Sequence, residues 1–322
     1  MFKDKKKEAP AFTAAGLPID RSLKVEKTKA AKRAEINRNL VAYSFIAPNF
    51  IGFAVFTLVP IVFAFALAFL NWNGNTEMTW AGLDNFKYIF TNEMFLASLR
   101  NTFIYTIGTV PLTLVVSLFL AIVLNQEIKG RNFFRTVSFF PYVGSLVAIT
   151  AVWNMLFNPS MGPINEILMS LGVENPPRWI ADNDWAMFTI VLFSIWKYMG
   201  YYMVIYLAGL QGINNELYEA ASIDGVNTWQ KFWYVTLPQL KNTTFFILIM
   251  LTIQCFKVYD IVYMLAGAGS GALSEATTVL VYEIYNSAFR YWRLGVASAE
   301  ALVLFAIVLV VTVVQFRLEK DD

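Results

Sequence analysis

The stretch TFIYTIGTVPLTLVVSLFLAIVL, residues 102–124, contains no charged side chain over 23 consecutive positions. Its polar side chains are hydroxyls, which can bond to the carbonyl of the preceding helical turn. A helix needs about 20 apolar residues to cross the hydrocarbon core of a bilayer. This stretch is therefore predicted to be a membrane-crossing helix.

Five more stretches are long and apolar enough to be spans, and the whole composition agrees with them. The chain has 322 residues, of which 57% are hydrophobic and 15% are charged, whereas a soluble domain is about 25% charged. The predicted fold is an all-α integral membrane protein with six transmembrane helices. Beside residues 102–124, the predicted spans are residues 42–70, 136–157, 186–210, 243–265 and 294–316.

The basic residues are distributed unevenly along the chain. Residues 1–41 contain 11 Lys or Arg and 5 Asp or Glu, and we interpret them as a basic cytoplasmic tail before a membrane domain at 42–322. A surface-lying amphipathic helix at residues 25–39 is the alternative. With both termini in the cytoplasm, 18 of the 25 basic residues lie inside and 5 outside, as the positive-inside rule requires of a plasma-membrane protein.

Several chemistries are excluded by residue counts alone. The chain has no His and one Cys, Cys255, so it has no Ser-His-Asp triad, His-ligated metal site, internal disulfide or thiolate zinc cluster. A membrane-embedded enzyme is therefore disfavoured. Nucleic acid is not an expected partner, because the basic tail lacks interleaved aromatic residues.

The predicted inner loop at residues 211–242 carries the most informative pattern. Residues 219–225 read EAASIDG, and residues 236–238 read TLP. Asn214 or Asn215 can cap a helix start, Gly225 can end that helix in a left-handed conformation, and Pro238 can begin the next element. We predict a short amphipathic helix here. The alternative is a loop that only joins two spans.

This loop resembles the signature loop of the binding-protein-dependent ABC importer permeases, in their carbohydrate branch of maltose-type and glycerol-phosphate-type permeases. The resemblance rests on Glu-Ala-Ala at 219–221, the Gly six residues after Glu219 and the later Leu-Pro. GLDNF at 82–86 and RNFFR at 131–135 extend it, so that it covers about residue 40 to the C-terminus. Three departures are Asn214 for Pro, Gly267–Gly271 for Gly-Gly-Pro, and Glu300 for an apolar residue.

The resemblance implies the type I ABC importer permease architecture, in which the short helix is a coupling helix that docks on a separate ATPase. The residues implied in docking are Glu219, Ala220, Ala221, Asp224, Gly225 and Pro238. The chain has no Gly-x-x-x-x-Gly-Lys-[Ser/Thr] loop that could cradle a phosphate, so ATP and Mg would be used by the partner ATPase and this chain would bind no cofactor. The implied partners are a second related permease, two ATP-binding subunits, an extracellular sugar-binding protein and membrane lipid.

Four charged residues lie within predicted spans: Lys197, Lys257, Asp260 and Glu300. Charges at membrane depth are expensive and are candidates for function. Lys257 and Asp260 are expected one turn apart on one face of the fifth helix. Either these charges neutralise each other and join helices, or one of them lines a transport route.

The predicted substrate path consists of Asn154, Tyr198, Tyr201 and Gln254. A sugar has hydroxyls around an apolar ring face, which suits aromatic, amide and hydroxyl partners. The tyrosines could instead belong to an interfacial belt. By the resemblance, the function is alternating-access import of an oligosaccharide or of several sugars. A glycerol-phosphate permease is the alternative, with Arg290 and Arg293 as the only near pair for phosphate, and an ion-coupled secondary carrier is the alternative from another class.

Overall fold

The computed structural model describes residues 29–75, 77–267 and 275–320, without the side chains of residues 29–35 and 320. Residues 1–28 of the predicted tail and the glycine-rich run after Gly267 lie outside these residues. The described part is almost wholly helical. A two-stranded antiparallel ribbon pairs β1, Leu70–Asn71, with β2, Thr79–Trp80, and Leu70 lies opposite Trp80.

The described residues fall into two units, divided between Val62 and Phe63. In the first unit, helix α1 spans Lys29–Phe53 and passes through a π turn at Ala54–Leu58 into α2, Val59–Leu67, of which residues 63–67 belong to the second unit. The helix thus begins 13 residues before the predicted start of the first span, because the polar residues before it continue the helix. Pro60, at the second position of α2, cannot donate a hydrogen bond and crowds the carbonyl four residues before it, which accounts for the wider turn.

The second unit contains the remaining helices, which are joined by short connections. It also contains a 3-10 turn at Trp179–Ala181 and π turns at Phe232–Thr236, Tyr263–Gly267 and Asn286–Arg290. The helices are α3 Asp84–Thr91, α4 Glu93–Asn125, α5 Arg131–Val143, α6 Leu146–Leu156, α7 Pro163–Ser170, α8 Asn183–Gln211, α9 Asn215–Ile223, α10 Thr228–Lys231, α11 Leu237–Gln239, α12 Lys241–Phe256, α13 Asp260–Val262, α14 Leu280–Tyr285 and α15 Leu294–Lys320.

The core of this unit forms where α8 packs against α4, α5 and α12. Tyr105 of α4 is fully buried, and its hydroxyl donates to Ser194 Oγ of α8 at 2.9 Å. Gly200 lets α5 approach α8 closely, since a Cβ at this position would collide with the carbonyl oxygen of Ser138. The close contact of these helices depends on the absence of that side chain.

Four described helical segments are long and apolar enough to cross a membrane: Ile36–Leu67, Glu93–Asn125, Asn183–Gln211 and Leu294–Glu319. Two bent pairs bring the number to six if each pair is one span. The first pair is Arg131–Val143 with Leu146–Leu156, bent by 100°, and the second is Lys241–Phe256 with Asp260–Gly267, bent by 53°.

The predicted third and fifth spans are therefore not the continuous helices expected. The third bends at Gly144 and Ser145, which take extended backbone angles. The fifth stops at Phe256, where the Val258 N–H bonds to the carbonyl of Cys255 and tightens the last turn. Lys257 lies after this helix and Asp260 begins α13, so the expectation that both share one helical face is wrong.

Candidate functional site

The predicted short helix is present as α9, and its start is capped as the sequence indicated. Asn214 Oδ1 accepts a hydrogen bond from the backbone N–H of Glu216 at 3.0 Å, and Asn214 Nδ2 donates to Glu216 Oε2 at 3.0 Å. Of the two candidate caps, Asn214 is the one used, and Asn215 is the first helical residue. Glu216 in the first turn also suits the positive end of the helix dipole.

The end of α9 is a Schellman motif built on Gly225. Gly225 has φ +75, its N–H donates to the carbonyl of Ser222 at 3.2 Å, and the N–H of Val226 donates to the carbonyl of Ala221 at 3.0 Å. These two bonds satisfy carbonyls that the helix end leaves unpaired. The predicted left-handed stop at Gly225 is confirmed.

Side-chain bonds hold α9 against the segment that follows it. Lys231 Nζ donates to Ser222 Oγ at 2.6 Å, and the hydroxyls of Tyr218 and Thr236 share a hydrogen bond of 3.0 Å. These four residues were not among the predicted site residues. They fix the angle at which the loop presents α9, since both bonds connect the helix to α10 or to the π turn after it.

A further cap in this loop was readable from the sequence but not used in the prediction. Asn227 Oδ1 accepts from the N–H of Gln230 at 2.9 Å, and Gln230 Oε1 accepts from the N–H of Asn227 at 3.0 Å. This is a reciprocal capping box, which an Asn followed three residues later by Gln can signal. It starts α10 and so places Lys231 where it reaches Ser222.

The predicted docking residues mostly lie on the exposed side of α9 and its neighbours. Ala221 is buried against the protein. Leu217 and Ile223 of the same helix are also exposed, by 41% and 86%. The helix thus has an uncovered surface with apolar and acidic side chains. The exposed predicted residues are Glu219, Ala220, Asp224, Gly225 and Pro238.

Several predicted path and charge residues meet at one cavity, of about 500 Å³, beside the break between α12 and α13. From α8 it is lined by Lys197 and Tyr198, and from the segment 250–261 by Gln254, Lys257, Tyr259 and Asp260 among others. A volume in this range is typical of small-molecule sites. We call it the inner cavity. It brings together one amide, three phenols, two ammonium groups and one carboxylate.

Two other predicted path residues lie elsewhere. Tyr201 stacks on Tyr142 with ring centroids 4.3 Å apart, and Tyr142 itself lines the inner cavity, so Tyr201 supports its wall. Asn154 of α6 does not line this cavity. Of the four residues predicted to line the substrate path, Tyr198 and Gln254 thus line the inner cavity, and Asn154 does not.

Lys197 acts on the backbone of α5. Its Nζ donates to the carbonyl of Pro141 at 3.2 Å and to that of Tyr142 at 3.5 Å, and it lies 5.9 Å from the centroid of the Tyr142 ring. Carbonyls in the last turn of a helix have no intrahelical partner. Lys197 therefore joins α8 to the bend between α5 and α6.

The charged side chains at the inner cavity, Lys197, Lys257 and Asp260, form no ion pairs with one another. Within residues 29–75, 77–267 and 275–320, no Asp or Glu oxygen lies within 4.0 Å of the ammonium groups of Lys197 or Lys257, and Asp260 pairs with no Lys or Arg. Lys257 and Asp260 are both exposed. The interpretation of these charges as a self-neutralising pair or triad is not what the structure shows.

Tyr202, which was absent from the predicted set, orients Gln254. The Tyr202 hydroxyl donates to Gln254 Oε1 at 3.0 Å, and Tyr202 is 1% exposed. Because the amide oxygen already accepts this bond, the NH2 group is the donor that Gln254 can offer at the cavity. Its spacing of four residues from Tyr198 placed Tyr202 on the same helical face.

Glu300 lies at a separate cavity of about 240 Å³ and not at the inner cavity. It is 2% exposed, and its Oε1 accepts from Ser287 Oγ at 3.1 Å. Glu283 lines the same cavity, and burial raises the pKa of its carboxyl above the usual range. Arg293 Nη1 donates to the Tyr88 hydroxyl at 2.7 Å. Glu300 therefore joins α15 to the π turn that follows α14.

Comparison with known families gives one match that covers most of the second unit. Residues 113–321 match the family described as "Binding-protein-dependent transport system inner membrane component". The probable ABC transporter permease protein YesP of Bacillus subtilis is 37% identical over 281 residues, 87% of this chain and 90% of that protein. Two further relatives have names that state a substrate.

The sn-glycerol-3-phosphate transport system permease protein UgpA of Agrobacterium fabrum is 32% identical over 280 residues, 86% of this chain and 94% of UgpA. The arabinooligosaccharides transport system permease protein AraP of Bacillus subtilis is 34% identical over 284 residues, 88% of this chain and 89% of AraP. Among solved structures, a bacterial ABC transporter for import of the acidic polysaccharide alginate matches with TM-score 0.79 and 24% identity, over 89% of this chain and 98% of that chain. This last likeness establishes the fold.

Proposed function

The chain belongs to the family of binding-protein-dependent transport system inner membrane components, and from that membership we propose that it is the permease subunit of an ATP-driven sugar importer. The observation that carries the sugar assignment is the inner cavity. There Tyr198 and Gln254 line the wall with a phenol and with an amide whose NH2 group can donate. An oligosaccharide or several sugars are the proposed substrates, and the name of the relative AraP agrees with this choice.

The proposed topology has six spans, with each bent pair counted as one. The uneven distribution of Lys and Arg supports cytoplasmic N- and C-termini, and the loop that contains α9 then lies in the cytoplasm. The bends at Gly144 and at residues 257–259 lie where a substrate path can open between helices. Interrupted helices at such a site offer free backbone groups and a charge-bearing break.

The proposed coupling element is α9. Its uncovered surface, with Leu217, Ala220 and Ile223, suits docking on a separate ATPase subunit. The complete transporter would contain this chain, a second related permease, two ATP-binding subunits and an extracellular sugar-binding protein. ATP and Mg would be bound by the ATPase subunits and not by this chain.

The connection between α9 and the inner cavity supports alternating access. The π turn after α9 leads through α11 into α12, whose far end forms the inner cavity. A movement of α9 with the ATPase therefore acts on α12 and on the cavity wall. Substrate and nucleotide drive transport only if each favours a different one of the two permease states.

The test is ATP-dependent uptake by proteoliposomes that contain all subunits and a loaded binding protein. Uptake that continues after the proton and sodium gradients are dissipated supports the importer, because a secondary carrier stops under that treatment. Tyr198→Phe and Gln254→Ala should each raise the KM for uptake, whereas Asn154→Ala, outside the inner cavity, serves as the control. Unchanged kinetics in both cavity variants would contradict the proposed path.

Glycerol phosphate is the second candidate substrate, because two ammonium groups and one carboxylate line the inner cavity. Lysines can bind a phosphate as point charges, and the relative UgpA is named for sn-glycerol-3-phosphate. The two candidate substrates are separated by asking whether sn-glycerol-3-phosphate competes with the sugar for uptake. If sn-glycerol-3-phosphate competes and Lys257→Gln abolishes that competition, the phosphate assignment replaces the sugar assignment.

A further inference from the structure

Five aromatic rings form a continuous cluster on the far side of the break in the fifth predicted span. We call it the aromatic ladder, and it consists of Tyr259, Tyr263, Tyr282, Tyr285 and Phe289. Tyr259 contacts Tyr263, Tyr282 and Tyr285 with ring centroids 5.6, 5.9 and 5.3 Å apart. Tyr285 continues to Phe289 at 5.2 Å. None of these rings belongs to the predicted substrate path.

Three of the six ring contacts within the ladder are close to parallel, and the other three are tilted by 34° to 43°. The planes of Tyr259 and Tyr263 differ by 12°, those of Tyr259 and Tyr282 by 22°, and those of Tyr282 and Tyr285 by 20°. Centroid separations of 5.6 to 6.5 Å with parallel planes describe offset stacking, in which part of each ring face is not covered by its neighbour. The four tyrosines of these stacked contacts therefore have similarly inclined ring faces, and the ring of Phe289 is tilted by 43° against that of Tyr285.

Four of the five rings of the ladder, all but Tyr259, line a cavity of about 500 Å³, which we call the outer cavity. The side chains of Tyr285 and Phe289 are 42% and 63% exposed, so core packing does not cover these rings. Polar groups from an amide and a guanidinium complete the wall. The lining residues are Tyr263, Gly267, Tyr282, Tyr285, Asn286, Phe289 and Arg290.

Tyr259 connects this cavity to the inner cavity. Its side chain lines the inner cavity together with Tyr198 and Asp260. The same ring stacks on Tyr263 and Tyr282, which line the outer cavity. The ring contacts of Tyr259 therefore join the wall of the inner cavity to the wall of the outer cavity.

A purely structural role explains only part of the ladder. Tyr282 is 7% exposed and can be understood as core. An interfacial belt places tyrosines and tryptophans at the lipid boundary, around the surface of a protein. Here the exposed rings of Tyr285 and Phe289 converge on one cavity with Asn286 and Arg290, which a belt does not require.

We propose that the aromatic ladder is a second saccharide-binding site, which receives a cyclic sugar and passes it to the inner cavity. This inference rests on the proposed function and narrows its substrate class. The C–H face of a sugar ring can stack on an aromatic face, while its hydroxyls bond to phenol, amide and guanidinium groups. Acyclic glycerol phosphate has no ring to stack, so the ladder selects sugars with rings.

The experiment uses the complete transporter in proteoliposomes, with its ATPase, second permease and binding protein. The probes are lactose, arabinotriose and sn-glycerol-3-phosphate, and the saccharide with the higher uptake is used for kinetics. Tyr285→Ala and Phe289→Ala remove exposed rings of the ladder. Tyr285→Phe keeps the ring and removes the hydroxyl. Tyr291→Ala is the matched control, since Tyr291 is 56% exposed in the same segment but lies outside the ladder.

We expect Tyr285→Ala and Phe289→Ala each to raise the saccharide KM about fivefold, a change of the size expected for one aromatic contact. Tyr285→Phe should stay within about twofold of wild type, since stacking uses the ring face and not the hydroxyl. Tyr291→Ala and the basal ATP turnover of every variant should be unchanged. Selective loss of saccharide uptake with retained ATP turnover separates a lost binding site from a misfolded subunit.

The outcomes separate failure of the ladder from failure of the proposed function. If Gln254→Ala raises the saccharide KM while Tyr285→Ala and Phe289→Ala do not, the ladder is not a binding site and the importer assignment stands. If the wild-type complex takes up sn-glycerol-3-phosphate and neither saccharide, the ladder proposal is overturned together with the sugar assignment. If the wild-type complex takes up none of the three probes with ATP, the proposed function fails, and the ladder proposal fails with it.

Discussion

The left-handed turn at Gly225 allows a quantitative test of whether α9 couples this chain to an ATPase. A Cβ added at Gly225 would meet no atom within 4 Å, so Gly225→Ala changes the backbone energy and little else. Holding an L-residue in the left-handed region costs about 1–2 kcal/mol. Since about 1.4 kcal/mol is a factor of ten in an equilibrium, the alanine variant should lose the ordered helix end in part.

Proline at the same position removes the turn altogether. The φ angle of proline is fixed at about −65°, whereas Gly225 has φ +75. It also lacks the N–H that donates to the carbonyl of Ser222 at 3.2 Å, a bond whose loss costs about 0.5–1.5 kcal/mol. The bond from Val226 to the carbonyl of Ala221 depends on the same turn. We therefore expect Gly225→Pro to disorder the end of α9 and to abolish coupling.

The assay is ATP turnover of the assembled transporter with and without loaded binding protein. Stimulation should fall severalfold in Gly225→Ala and vanish in Gly225→Pro, with membrane insertion intact. Gly172→Ala is the matched control. Gly172 follows α7 with φ +93, and a Cβ there would meet no atom within 4 Å. The N–H of Val173 bonds to the carbonyl of Leu168. Alanine at position 172 should therefore cost about as much backbone energy as alanine at position 225, but in a different loop. Full stimulation in Gly225→Pro would refute the coupling role of α9.

Three further predictions follow from packing and burial and can be checked by thermal unfolding of the purified protein. Gly200→Ala should lower the melting temperature by several degrees, since its Cβ would collide with the carbonyl of Ser138; an unchanged melting temperature would contradict the close contact of α5 and α8. Asn101→Ala should destabilise the protein by about 1–3 kcal/mol, because its amide donates to two backbone carbonyls of the segment 275–278; Asn101→Asp, which keeps the size but not the donors, should not rescue it. Burial raises the pKa of the Glu283 carboxyl above its ordinary value of 4.5, so the folded state binds this proton more tightly than the unfolded state. The free energy of unfolding should therefore fall as the pH rises above that value. Glu283→Gln should reduce this fall, and an equal fall in both proteins would refute the prediction.

Local backbone chemistry explains why the ends of α9 could be predicted. Asn214 and Gly225 act on groups within three or four residues of themselves, and capping rules describe such short-range bonds. The break after Phe256 could not be predicted in this way. No Pro or Gly lies between Phe256 and Asp260, and the hydropathy of the stretch is that of one continuous helix.

The charges and the ladder show the same limit for the site. Lys197 bonds to carbonyls 55 and 56 residues away, which become accessible only because the third predicted span bends. The ladder joins Tyr259 and Tyr263 to rings some 20 residues later in the chain. The spacing of Tyr282, Tyr285 and Phe289 by three and four residues was a helical signal that the sequence analysis did not use.

The π turn at Asn286–Arg290 makes the outer wall sensitive to the length of the chain. There the N–H of Tyr291 bonds to the carbonyl of Asn286, five residues earlier, at 2.8 Å, so the turn holds one residue more than an α-helical turn. Loss of one residue inside it would restore α-helical winding and rotate everything that follows by about 100°. The deletion or insertion of a single codon would thus rotate the residues of this wall relative to the packed core. The specificity of the outer cavity could then change in one step, while the sequence of the spanning helices stays the same.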